Sequence, residues 1–127
     1  MGSTLLGVTA KLVTLALDVA SVRQQALAQN IANANTPGYI PYDVHFDGQL
    51  DQLRAKLRAG TSISSADVPT QTPQLTEVMQ ENGLPPKVAL DMEAAKLAEN
   101  VLHYQAVAKA YSHMNNLLSM AINEGKR

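Results

Sequence analysis

Between residues 90 and 122 the sequence repeats apolar or small side chains at alternating intervals of four and three: Leu90, Ala94, Leu97, Val101, Tyr104, Ala108, Tyr111, Asn115, Leu118 and Ile122. That spacing draws one stripe along an α-helix and predicts packing against another helix in the coiled-coil manner. Asp91 and Glu93 fall in the expected first turn, where the helix dipole favours acids, and Gly125 ahead of Lys126 and Arg127 gives a stop. Asn115 interrupts the stripe, and a polar residue there can fix helix register at some cost in stability. Tyr104 and Tyr111 read as seam residues, Met114 and Met120 as packing filler.

The other end carries a matching stripe of Leu5, Val8, Leu12, Leu15, Val19, Val22 and Ala26, with Ser3 or Thr4 able to cap its start. Although residues 5–22 are largely apolar, Lys11 and Asp18 interrupt them and no cationic segment precedes them, so neither a membrane span nor a signal peptide is expected. Membrane-surface docking is disfavoured too, because Lys11 and Arg23 are the only cations of this helix.

Between the two stripes the character changes. Residues 39–87 hold five of the six prolines and a Ser/Thr/Gln-rich stretch, which weakens any prediction of regular structure. A short helix is expected at 46–59 through Leu50, Leu53 and Leu57, broken at Gly60, while 61–76 has too little apolar content and is expected to be extended or disordered. The predicted architecture is all-α: long terminal helices paired as a coiled-coil-like hairpin, with a short helix and a weakly ordered middle. The regions are 1–38, 39–87 and 88–127.

Lys and Arg total 10 against 11 Asp and Glu, too balanced for a nucleic-acid-binding face. The absence of cysteine excludes disulfides, thiolate metal sites and a cysteine nucleophile. His45 stands between Asp43 and Asp47, and His103 lies four residues after Glu99, but neither set supplies the convergent ligands of a zinc site. No nucleophile elbow, phosphate loop or dinucleotide fingerprint is present, and no catalysis, cofactor or metal is expected.

The most specific feature is the run Asn30-Ile31-Ala32-Asn33-Ala34-Asn35-Thr36-Pro37-Gly38-Tyr39. Pro37 disfavours helical geometry at Thr36 and ends the first helix before it. Asn33 and Asn35 tolerate left-handed backbone and can bond free carbonyls, and Thr36-Pro37-Gly38-Tyr39 fits a type II turn with glycine where φ is positive. Ala32 and Ala34 leave room for a neighbouring backbone.

This run resembles the N-terminal signature of the bacterial flagellar axial proteins, the rod, hook and hook-associated family. The continuation through Asp43 to Phe46, and the later stretches 88–93 and 98–106, are similar to its short proximal rod members. Pro41 departs from the usual pattern and stiffens the exit from the turn. Two sibling proximal rod subunits share the Asn-rich motif, and only Asp43 to Phe46 and the last helix separate them here. An amphipathic helical binding module is the alternative outside the family.

The resemblance implies a non-enzymatic subunit of the periplasmic rod, exported unfolded by the flagellar type III apparatus without signal-peptide cleavage. It implies self-association and contacts with other rod subunits and with the protein joining the rod to the MS ring. Asn30, Ile31, Ala32, Asn33, Asn35, Thr36, Pro37, Gly38, Tyr39, Asp43 and Phe46 are then the assembly motif. Leu12, Leu15, Val19, Val22, Leu90, Leu97, Val101, Tyr104, Tyr111, Leu118 and Ile122 are the expected subunit-packing residues. The chain is expected to be mostly disordered alone and to fold as neighbours bury its ends.

Overall fold

The computed structural model describes residues 2–69 and 73–125, without the side chains of 2–6 and 47–50. The cap at Ser3 or Thr4, the side chains of Leu5, Asp47 and Leu50, and Lys126 and Arg127 lie outside the described residues. Helix α1 runs over Gly2–Ala32, strand β1 over Tyr42–His45, helix α2 over Asp47–Arg58, a 3₁₀ turn over Ser65–Asp67, strand β2 over Gln74–Glu77 and helix α3 over Leu90–Gly125. At 1.5 Å per residue, α1 is about 46 Å long and α3 about 54 Å.

Helices α1 and α3 form an antiparallel pair. Asn30 near the end of α1 bonds Glu93 near the start of α3, while Asn100, further along α3, bonds Ala20 and Gln24, further back along α1. The predicted hairpin is therefore present, but α1 is used on two sides. Val8, Leu15 and Val19, flanked by Leu12 and Val22, bury against Val44, Phe46 and Val68, with Ile63 and Leu75 at the margin. The α1 stripe expected to meet other subunits is thus covered by the chain's own middle segment, and α3 takes the adjoining face.

The fold is mostly helical but not all-α, because β1 and β2 form a two-stranded antiparallel sheet with Tyr42 opposite Glu77 and Val44 opposite Leu75. The signal is a two-residue alternation too short to stand out: Val44 turns inward between exposed Asp43 and His45, and Leu75 between exposed Gln74 and Thr76. Residues 61–76, expected to be extended or disordered, hold this strand and the 3₁₀ turn, with three residues outside the described set. Three apolar residues of this stretch serve the core: Ile63 at its margin, Val68 within it and Leu75 on the strand. The Ser64 hydroxyl and the Asp67 carboxylate close a capping box around the turn.

Helix α2 ends as its sequence predicts. Gly60 adopts φ 73°, and the Thr61 N–H returns to the Lys56 carbonyl at 3.0 Å. Leu53 is buried but Leu57 is exposed, so the expected three-leucine face is not covered as a whole. An ion pair between Lys56 and Asp67 ties α2 to the 3₁₀ turn.

On α3 the covered stripe is displaced from the expected one. Leu97, Tyr111 and Leu118 belong to it, with Glu93, Val107 and Met114 half-buried beside them and Asn100 buried. Leu90, Tyr104 and Ile122 are 44%, 42% and 59% exposed, and Val101 sits half-buried at the edge. Asn115 is exposed; Asn100 is instead the buried polar residue of α3 among the described residues. The periodicity misleads because α3 is apolar on most sides, as Ala95, Leu102, Ala106, Ala110 and Leu117 show, so more than one stripe fits a four-three rhythm.

Candidate assembly site

The Asn-rich motif divides into a buried half and an exposed half. Asn30, on the last turn of α1, is 4% exposed and uses its whole carboxamide. Its Oδ1 accepts from the Tyr39 hydroxyl at 2.8 Å and from the Tyr42 N–H at 2.9 Å. Its Nδ2 donates to the Tyr42 carbonyl at 2.9 Å and to Glu93 Oε2 at 3.3 Å. One side chain therefore joins α1, the turn, β1 and α3.

The backbone of β1 explains why an asparagine is needed. The Val78 N–H bonds the Pro41 carbonyl, and antiparallel alternation from that pair turns the N–H and C=O of Tyr42 away from β2. The Asn30 carboxamide, a side-chain copy of a peptide group, pairs with both and completes the free edge at that residue. Tyr39 and Tyr42 also meet edge-on, with ring centroids 6.4 Å apart. Burial, with Tyr42 and Glu93 nearby, raises the Tyr39 hydroxyl above its ordinary pKa and keeps it a donor to Asn30. On the α3 side, Glu93 Oε1 accepts from Lys96 at 3.3 Å.

The turn takes the expected form. Gly38 has φ 75° and the Tyr39 N–H bonds the Thr36 carbonyl at 3.2 Å, as a type II turn requires. Among the described residues no non-glycine has positive φ, so Asn33 and Asn35 are not left-handed. Asn33 acts instead through its side chain, donating to the Gln29 carbonyl and accepting from the Thr36 hydroxyl. Asn35, Thr36, Pro37 and Gly38 are exposed, as is Ala32, whereas Ile31 and Ala34 are half-buried. Pro41 is buried at the entry to β1; Asp43 is exposed and accepts from the Val44 N–H, and Phe46 is buried in the core.

A groove of about 680 Å³ opens between α1, β1 and α3, lined among others by Arg23, Leu27, Tyr42, Met92, Lys96 and His103. Its charges are mixed. His103 and Glu99 are exposed, as are His45 and Asp43, and among the described residues no three His, Asp or Glu side chains converge. No helix among the described residues is long and apolar enough to cross a membrane.

Sequence reasoning missed three participants: Tyr42, Glu93 as a partner of Asn30, and Asn100. None of the three carried a local signal: Asn100 is one asparagine beside Asn115, Asn116 and Asn123 on a helix that also bears Lys96, His103 and Gln105.

Residues 15–39, which contain this motif, match the family model described as flagella basal body rod protein. The flagellar basal body rod protein FlgB of Escherichia coli (strain K12) is 34% identical over 110 residues, covering 76% of this chain and 80% of that one. FlgB of Bacillus subtilis (strain 168) is 31% identical over 118 residues, covering 87% and 90%. FlgB of Aeromonas hydrophila is 29% identical over 111 residues, covering 82% of each. These relatives decide between the two sibling rod subunits that share the motif. The chain belongs to the FlgB family of flagellar basal body rod proteins.

Proposed function

We propose that this chain builds the proximal, periplasmic part of the rod by offering neighbours the sides of its helix pair that its own fold leaves uncovered. The observation that carries the reading is surface. The chain exposes 9035 Å², whereas a folded monomer of this mass exposes roughly 6,600 Å². The difference is about three times the ~800 Å² that each partner gives to a standard interface. Several neighbours fit such a surface better than one.

The exposed apolar residues favour α3 as the contact element. Leu102, Leu117 and Met120 are 67%, 52% and 58% exposed, and with Ala106 they run along the side turned from α1. A helix apolar on both sides is suited to burial between partners. On this reading the partners are further copies of this chain, the other rod subunits and the protein that joins the rod to the MS ring. The exposed tip Asn35-Thr36-Pro37-Gly38 is a second contact. The described core has no side chain below 2% exposure, which suits a chain that gains order as it assembles and travels unfolded through the type III export apparatus without signal-peptide cleavage. The terminal regions 1–38 and 88–127 are then assembly elements and 39–87 the segment that braces α1.

Deleting the gene in its host and complementing with the intact chain tests this. The expected result is loss of swimming and of rods in isolated basal bodies, both restored by complementation. Normal swimming with intact rods would reject a rod role.

A further inference from the structure

Asn100 and Asn30 are the buried polar side chains among the described residues. Asn30 serves the motif, whereas Asn100 lies within the helix pair. Its Nδ2 donates to the Ala20 carbonyl at 2.8 Å and to Gln24 Oε1 at 3.1 Å. The acceptor pair depends on the residue types: the small side chain of Ala20 leaves its carbonyl open from the side, and Gln24, one turn on, adds an amide oxygen.

Apart from the Asn30–Glu93 bond at one end of the pair and Tyr111 within it, the seam says little about alignment. Leu97, Val107, Met114 and Leu118 of α3 are similar in size, and sliding α3 by one heptad exchanges one apolar neighbour for another. Asn100 does not tolerate that slide. Moved by seven residues, it would face Val13 and Leu17, or Leu27 and Ile31, in place of Ala20 and Gln24. Larger side chains then flank the carbonyl and no amide answers, leaving a buried carboxamide short of partners.

We infer that Asn100, with Ala20 and Gln24, is the register lock of the terminal helix pair. It fixes one alignment of α3 on α1, and so fixes where Leu102, Leu117 and Met120 stand relative to the Asn35–Gly38 tip. Asn100 is a positioning residue. Its role belongs to the single chain and holds whether or not the assembly reading does.

The absence of native cysteine makes the alignment measurable with introduced thiols. Ala16 and Val107 lie two heptads along from Asn30 and Glu93, so Ala16→Cys with Val107→Cys reports the native register. Ala16→Cys with Met114→Cys reports a slide of one heptad. In the full chain under mild oxidation, the native pair is expected to form disulfide at least about tenfold faster than the slid pair. With Asn100→Leu the preference falls to about threefold or less while circular dichroism keeps its helical signal. A preference unchanged in helical Asn100→Leu chains overturns the lock. Should that variant lose helicity, Gln24→Leu gives the same reading: a reduced preference supports the lock, and an unchanged one overturns it.

Discussion

Replacing Asn30 probes the motif at its most connected point. Asn30→Ala removes four hydrogen bonds, each worth about 0.5–1.5 kcal/mol net, and strips the Tyr42 N–H and C=O of their partner. Tyr42 is only half-buried, so water recovers part of the loss, and the expected cost is about 2–4 kcal/mol. For a chain of this length that lowers the melting temperature by roughly 8–15 °C. Asn30→Asp is sharper because the shape is kept. It turns an oxygen towards the Tyr42 carbonyl and the Glu93 carboxylate, where an amide donated before. Burial and the like charge raise the pKa of the new carboxyl in the folded state, so the folded form favours its protonated state. The penalty is then full at neutral pH and shrinks as pH falls to about 4, where protonation restores a donor. Urea titration of the full chain, followed by circular dichroism in a stabilising osmolyte, gives both quantities. A loss below about 1 kcal/mol for Asn30→Ala, or an Asn30→Asp penalty independent of pH, would refute the node.

Gly38→Val should cost about 1–3 kcal/mol from backbone strain alone, since no atom lies within 4 Å of an added Cβ; Gly38→Asn, which tolerates positive φ better, should cost less by the same melts. Asp67 is held at a pKa of about 2, first by the Lys56 hydrogen bond and then by Ser64. Its contribution is therefore present above the ordinary carboxylate pKa and lost as pH falls through about 2; Asp67→Asn should flatten that part of an acid titration. Tyr39 has a raised pKa, so its stabilising bond is present below the ordinary tyrosine value and lost as pH rises through the raised one; Tyr39→Phe should remove that alkaline dependence. Leu102→Glu should leave the free chain within about 0.5 kcal/mol of the parent, because the residue is exposed, yet abolish swimming.

Where one residue type has one physical solution, the sequence was readable. Pro37 with Gly38 left few alternatives to a type II turn, and Gly60 could end α2 in only a few ways. The α1 stripe was equally clear, since Lys11, Thr14, Asp18 and Ser21 mark a polar side, but its periodicity could not say what covers it. The covering residues, Val44, Val68 and Leu75, sit among polar neighbours, and each contributes one inward side chain to a strand or loop with too little apolar content to predict. The α3 stripe was misplaced for the opposite reason, because apolar residues on several sides make several stripes fit. The roles of Asn30 and Asn100 depend on partners nine to eighty positions away, a distance no local pattern spans.

Thiol reactivity on α3 tests directly whether its outward side is the contact between subunits. Single cysteines at Leu102 and Leu117, each in the otherwise cysteine-free chain, are labelled with a maleimide in the purified protein and again in isolated rods. The expected result is rapid labelling in the free chain and strong protection in the rod, with a cysteine at Leu12 slow in both because the middle segment already covers it. Equal labelling of Leu102→Cys and Leu117→Cys in the two states would contradict assembly through this side of α3.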